Sequence, residues 1–183
     1  MWMIVLFFLS GATALVYEVV WSRYLTLMLG STVQAQTVVL AVFMGGLALG
    51  NRLFGTIAHR ARDPVAWYAY IEGGIGVFGF FFPVWFALAD RLFVWGGAAW
   101  LDQSNALLGW KVLLSGLLLL GPTVAMGGTL PVVAGWLSRR RGDDASRASA
   151  RFYGVNTLGA VVGSGCAGFF RIARWGLERA LQT

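Results

Sequence analysis

The long apolar stretches of the sequence contain charged side chains that could bind a cation or pair with one another. Glu18 falls in the first stretch, and Arg52, Glu72 and Lys111 fall in later ones. A charge in the hydrocarbon region of a membrane is costly, so it is expected to be paired, neutralised or used for an ion or substrate. We therefore predict that these side chains face the interior of a packed helical bundle.

The predicted depths of these residues suggest two pairs. At 1.5 Å rise per residue, Arg52 and Glu72 fall within roughly 3 Å of the same level. Glu18 falls within side-chain reach of Lys111, and Asn156 lies near the level of the first pair. These five residues are the candidates for substrate or ion binding. The alternative is that they only fix the register between helices, and Glu18 could also be a protonated acid in one interhelical hydrogen bond.

The composition indicates an integral membrane protein. Of 183 residues, 58% are hydrophobic and 12% are charged, and the mean hydropathy is +0.70. A soluble domain of this size would expose large apolar patches. The net charge of +6 comes from arginines clustered at helix ends, which membrane topology explains without nucleic acid. The single cysteine, Cys166, offers no disulfide or metal site, and no cofactor is expected.

The apolar stretches predict an all-α, polytopic transmembrane bundle of about five spans. Asp63 and Pro64 form an N-cap with proline at the first helical position, and Pro83 kinks or ends the helix that follows. Residues 90–105 are predicted to be an external connection with an interfacial piece. One domain is expected over residues 1–170, followed by a basic, interfacial segment at 171–183. The predicted spans are 1–29, 33–58, 64–87, a long broken one at 106–137, and 148–170.

The arginines predict the orientation in the membrane. Arg60 and Arg62, with His59 beside them, lie in one short loop, and three arginines at 139–141 lie in another. Because basic loops stay on the cytoplasmic side, both loops and the N-terminus are expected there, in a bacterial cytoplasmic (inner) membrane. The arginines of residues 171–179 then fall outside, against the rule. Either this segment is an interfacial amphipathic helix, or the chain is a truncated or rearranged piece of a longer protein.

Five motifs follow one another along the chain: FLSG at 8–11, YEVVWSR at 17–23, LALG at 47–50, MGGTLP at 126–131 and YGVNTLGA at 153–160. Together they resemble the membrane region of fused major-facilitator/spermidine synthase proteins. The resemblance covers about residues 7–168 and implies a partial major-facilitator half. Residues 55–60 also resemble the loop between helices two and three of major-facilitator transporters, although His59 stands where that loop usually has Asp.

The resemblance leaves two functions open. Members of the fused type continue into a spermidine-synthase-like domain of Rossmann-like fold, whose glycine-rich loop is not found here, and no catalytic residue is predicted. One function is a membrane domain that binds or transports a polyamine or another cation through Glu18 and Glu72, because carboxylates attract amines strongly at low dielectric constant. The other is a non-catalytic anchor for a synthase-like domain or larger assembly. The expected partners are the lipid bilayer, a synthase-like domain or membrane protein, and further copies of the chain, but not nucleic acid.

Overall fold

The chain folds into α-helices joined by short connections. A computed structural model describes residues 2–98, 104–141 and 144–171. No strand occurs in this part of the chain, and the predicted all-α class is confirmed. The helices are α1 (Trp2–Leu29), α2 (Thr32–Arg60), α3 (Pro64–Phe80), α4 (Phe82–Gly97), α5 (Ser104–Arg141) and α6 (Ala145–Gly165), followed by a π-helical segment, Cys166–Arg171.

Three of the described helices, α1, α2 and α5, are long and apolar enough to cross a membrane, and α3 with α4 makes a fourth span if the bent pair is counted as one. α6 is 21 residues long and is not among them. Its first turns carry Arg147 and Arg151, which lower its apolar character. The structure therefore agrees with a membrane protein, whereas the prediction of five spans is not confirmed.

The turn between α1 and α2 lies at the predicted position and is as short as predicted. Gly30 has a φ of 76°, a left-handed conformation that glycine adopts without steric cost. Ser31 follows as the N-cap of α2, and its side-chain oxygen accepts a hydrogen bond of 3.4 Å from the backbone nitrogen of Gln34.

The end of α2 lies two residues beyond the predicted one. His59 and Arg60 belong to its last turn rather than to a loop, so the connection to α3 is shorter than expected. The predicted N-cap of α3 is confirmed, since Asp63 Oδ1 accepts hydrogen bonds from the backbone nitrogens of Val65 (3.0 Å) and Ala66 (3.1 Å).

The predicted third span is a pair of helices bent by 61°. The break lies at Phe81, between α3 and α4, and Pro83 sits in the first turn of α4, where its missing N–H removes no helical hydrogen bond. The external connection predicted from residue 90 was wrong over residues 90–97, which continue α4. Asp90 and Arg91 are exposed there, and one charged pair on an exposed face does not end a helix. Residues 99–103 of that prediction lie outside the described part.

α5 is one continuous helix of 38 residues, with Pro122 and Pro131 inside it. The expectation of a broken span was wrong in this respect. Neighbouring helices allow prolines in membrane helices by holding the chain on both sides of the lost hydrogen bond. Here Thr123 and Gly127 pack against α2 between the two prolines.

The contacts of the described residues group into two compact units. The first combines Met1–Val20 with Leu137–Thr183, as far as these are described, and the second is Trp21–Trp136. The first unit thus holds most of α1 with α6, and the second holds the end of α1, α2 to α4 and most of α5.

An aromatic cluster forms the core of the second unit. Trp21 is 1% exposed and stacks on Phe82 with ring centroids 5.2 Å apart. Phe78 meets the same indole edge to face at 6.0 Å, and the ring of Phe43 lies tilted to it at 6.4 Å. Aromatic pairs in these geometries add about 0.5–1.5 kcal/mol each beyond their burial. The cluster therefore joins the end of α1 to α2 and to the break between α3 and α4.

Candidate functional site

Three glycines bring α1 and α6 into backbone contact in the first unit. A Cβ at Gly11 would collide with the backbone carbonyl of Asn156, one at Gly159 with that of Phe8, and one at Gly163 with that of Ala12. Such close approach is typical of small residues between membrane helices. The spacing of Gly159 and Gly163 is a G-x-x-x-G pattern, a sequence signal for helix packing that the predicted site does not include.

Asn156 adds a polar contact to this helix pair. Its side-chain amide nitrogen donates a hydrogen bond of 3.0 Å to the carbonyl oxygen of Phe7. Beside it, the rings of Phe7 and Phe152 meet edge to face, with centroids 5.7 Å apart. A side-chain amide bonded to the neighbouring backbone helps to set the register of two helices, and a role of Asn156 in substrate or ion binding stays a prediction.

Glu18 lies on the same face of α1 as Gly11, which packs against α6. It is seven residues, close to two turns, beyond Gly11, which places the two positions within about 20° around the helix. The residue is half-buried, and none of the other described side chains of its unit gives its carboxylate a hydrogen bond or ion pair. No described side chain of this unit therefore offsets the cost of burying the carboxyl group.

The register of α1 and α6, extended beyond their last glycine contact, predicts that the π-helical segment lies at the level of Glu18. Phe8 meets Gly159 and Ala12 meets Gly163, so α1 and α6 run parallel. Continued along both helices, this register brings Glu18 level with Phe169, inside the segment Cys166–Arg171. A π-helical turn widens the helix and often occurs at functional sites. The sequence gives no signal for this feature beyond the small residues around Cys166, which is itself exposed.

Arg52 and Glu72 both belong to the second unit. Arg52 is exposed on α2, and Glu72 is half-buried on α3 and has a polar partner. Their pairing stays a prediction. The same holds for His59 and Arg60, whose side chains lie outside the described part of the chain.

Lys111 lies on α5 in the second unit. Its Nζ atom is 5.1 Å from the centroid of the Phe93 ring on α4, a cation–π contact. One turn further, Ser115 donates a hydrogen bond of 2.8 Å to the Lys111 carbonyl oxygen. The contact with Phe93 gives the ammonium group a partner within its own unit. Pairing with Glu18, which belongs to the other unit, stays a prediction.

The second unit also uses glycines for close packing. A Cβ at Gly46 would collide with the side chain of Thr123, and one at Gly50 with the backbone carbonyl of Val124, so α2 and α5 touch along this small-residue face. The space beside these glycines is filled by α5.

A surface cavity of about 350 Å³ lies where α2 ends and α3 begins. Its lining combines one guanidinium group and one indole with smaller side chains, and no group of three His, Cys, Asp or Glu side chains suited to a metal occurs among the described residues. The lining residues are Thr56, Ile57, Ala61, Arg62 and Trp67.

Comparison with known proteins links the chain to spermidine synthase-like proteins. No protein-family model and no solved structure matches it. The chain is 27% identical over 169 residues to polyamine aminopropyltransferase 1 of Streptomyces coelicolor, an alignment that covers 92% of this chain. The chain spans 28% of the length of that relative.

Proposed function

We propose that the chain is the membrane domain of a spermidine synthase-like system and that Glu18 binds an amine group of a polyamine or another cation. The observation that carries this proposal is the half-buried carboxylate of Glu18, which no other described side chain of its unit compensates. The named chemistry of the relative and the apolar helices are compatible with a polyamine-associated membrane domain.

Glu18 lies in the middle part of α1. An acidic side chain near the middle of a membrane helix costs about 2.5–3.5 kcal/mol on the lenient insertion scale. A bound ammonium group offsets this cost, because it supplies the opposite charge and up to three hydrogen-bond donors. The neighbouring π-helical segment would leave more room beside the carboxylate than a regular α-helix does.

We also propose an arrangement for the whole chain. Residues 1–170 form a major-facilitator-like domain of about five spans in a bacterial cytoplasmic membrane, with the N-terminus and the basic loops on the cytoplasmic side. The order of motifs and the positions of the arginines support this picture. Residues 171–183 would follow as a basic interfacial segment.

Equilibrium binding of radiolabelled spermidine to the purified full chain in detergent tests the role of Glu18. Glu18→Gln keeps the shape of the side chain and removes its charge. Since a hydrogen bond to a charged group contributes about 1.5–3 kcal/mol, we expect the dissociation constant to rise roughly 10- to 150-fold. Asp90→Asn is the matched control, because Asp90 is exposed on α4 of the other unit. Equal binding by Glu18→Gln and the wild type would refute the proposal.

Uptake into proteoliposomes then separates binding from transport. A carrier gives spermidine flux that Glu18→Gln abolishes, whereas a binding domain gives none. Unchanged spermidine flux in Glu18→Gln would show that the transported cation does not need the charge of Glu18.

A second candidate function, that of a membrane anchor, is favoured by the close glycine packing. The contacts of α1 with α6 and of α2 with α5 leave little space between these helices. The surface cavity is lined by Arg62, which would repel a cation. Coexpression with the part of the Streptomyces relative that the chain does not match tests this role. An anchor retains that part on membranes, and its recovery in the soluble fraction alone would exclude anchoring.

A further inference from the structure

We propose that the cavity between α2 and α3 binds the phosphate headgroup of an anionic phospholipid, with Arg62 as the phosphate-binding side chain. This site is separate from Glu18 and independent of polyamine binding.

The length and apolar character of α2 predict that the cavity is level with lipid headgroups. α2 is apolar and long enough to span a membrane over Thr32–Ala58, and the cavity lies at the end of this stretch. Ile57 and Ala61 give it an apolar side, and Trp67 is 40% exposed at its edge. Tryptophan favours the headgroup level, because its ring is apolar and its N–H is polar.

The charge of the cavity favours a phosphate. No described side chain forms an ion pair with the exposed guanidinium of Arg62. A guanidinium binds phosphate oxygens with two parallel hydrogen bonds. The hydroxyl of Thr56 is already used, since it donates a hydrogen bond of 2.7 Å to the carbonyl oxygen of Leu53. Arg62 is therefore the charged donor on which binding of a phosphate would depend.

The adjacent carboxylate of Asp63 does not cancel this charge. It does not line the cavity, and its Oδ1 atom accepts hydrogen bonds from the backbone nitrogens of Val65 and Ala66 at the start of α3. These amides and the positive end of the helix dipole compensate much of the carboxylate charge. The apolar side of the cavity adds a reason for a lipid, because a free phosphate ion gains nothing from Ile57 and Ala61.

Native mass spectrometry of the full chain, with added phosphatidylglycerol or phosphatidylcholine of identical acyl chains, tests the site. We expect phosphatidylglycerol to bind at least about fivefold more tightly, and Arg62→Gln to remove this preference, as loss of one basic side chain at a membrane surface predicts. Arg62→Lys should retain most of it. Arg91→Gln is the matched control, since Arg91 is an exposed arginine of the same unit outside the cavity.

Two results would overturn the proposal. One is an unchanged preference for phosphatidylglycerol in Arg62→Gln. The other is displacement of the lipid by soluble glycerol 1-phosphate at equal concentration, which would identify a site for soluble phosphates. Trp67→Ala provides an independent variant, and we expect it to weaken binding of phosphatidylglycerol while leaving the circular dichroism spectrum unchanged.

Discussion

The substitution Gly159→Ala is expected to force α1 and α6 apart. A Cβ at this position would collide with the backbone carbonyl oxygen of Phe8 and lie 3.2 Å from the backbone nitrogen of Ala12. Backbone atoms of a helix cannot rotate away as a flexible side chain can, so the helices themselves must move.

Gly154, a second glycine of α6, is the control for this effect. A Cβ at Gly154 would have no atom within 4 Å. Both Gly154→Ala and Gly159→Ala therefore gain helix propensity, by up to about 1 kcal/mol in water. Only the new Cβ of Gly159→Ala collides with α1. Overpacking of this kind costs about 1–3 kcal/mol. We expect the free energy of unfolding of Gly159→Ala to be lower than that of Gly154→Ala by this amount.

Reversible unfolding in mixed micelles, with increasing sodium dodecyl sulfate and circular dichroism as the signal, measures the difference. Comparing the two variants with each other removes the uncertain propensity gain in a membrane environment. If Gly159→Ala is as stable as Gly154→Ala, α1 and α6 do not pack through these backbones, and the placement of Glu18 beside the π-helical segment fails with them.

Three further predictions address other parts of the chain. Trp21→Ala should lower the free energy of unfolding by about 3–5 kcal/mol, because it empties the core of the aromatic cluster. The control Trp95→Ala, at a site that is 83% exposed, should stay within about 0.5 kcal/mol of the wild type in the same titration. Gly30→Ala should cost about 1–2 kcal/mol, because the left-handed φ strains a residue with a Cβ even though no atom lies within 4 Å of it. A cysteine at Arg140 in a Cys166→Ser background should react with a membrane-impermeant thiol reagent only after the cells are opened, and labelling of intact cells would reverse the proposed orientation.

Features with a local cause were predictable from the sequence. The cap at Asp63 and the turn at Gly30 depend on a few adjacent residues, whose side chains and φ preferences already specify the geometry. The apolar character of α1, α2 and α5 likewise follows from composition alone.

Features that depend on distant contacts were predicted less well. The kink predicted from Pro83 lies two residues earlier, at Phe81, beside an aromatic cluster that draws on α1 and α2. α5 stays continuous through Pro122 and Pro131, where α2 packs against it. Helix propensities, which describe single residues, do not include this contact with another helix.

The candidate site shows the same division. The cost of a carboxylate in an apolar helix identified Glu18, and the structure adds its partial burial and the register of α1 against α6. Pairs such as Arg52 with Glu72 were inferred from depth alone. Depth leaves the direction of each side chain around its helix open, and for Arg52 that direction is toward the surface.

The contact between α1 and α6 also has a consequence for biosynthesis. The hydrogen bond from Asn156 to Phe7 joins residues 149 positions apart in the sequence. At about 5–20 residues per second, roughly 7–30 s pass between translation of these two positions. For that time α6 does not yet cover the face of α1 around Gly11, and this face is open to other helices or to an insertion factor. Correct assembly therefore depends on the ribosome finishing α6 before α1 has paired elsewhere.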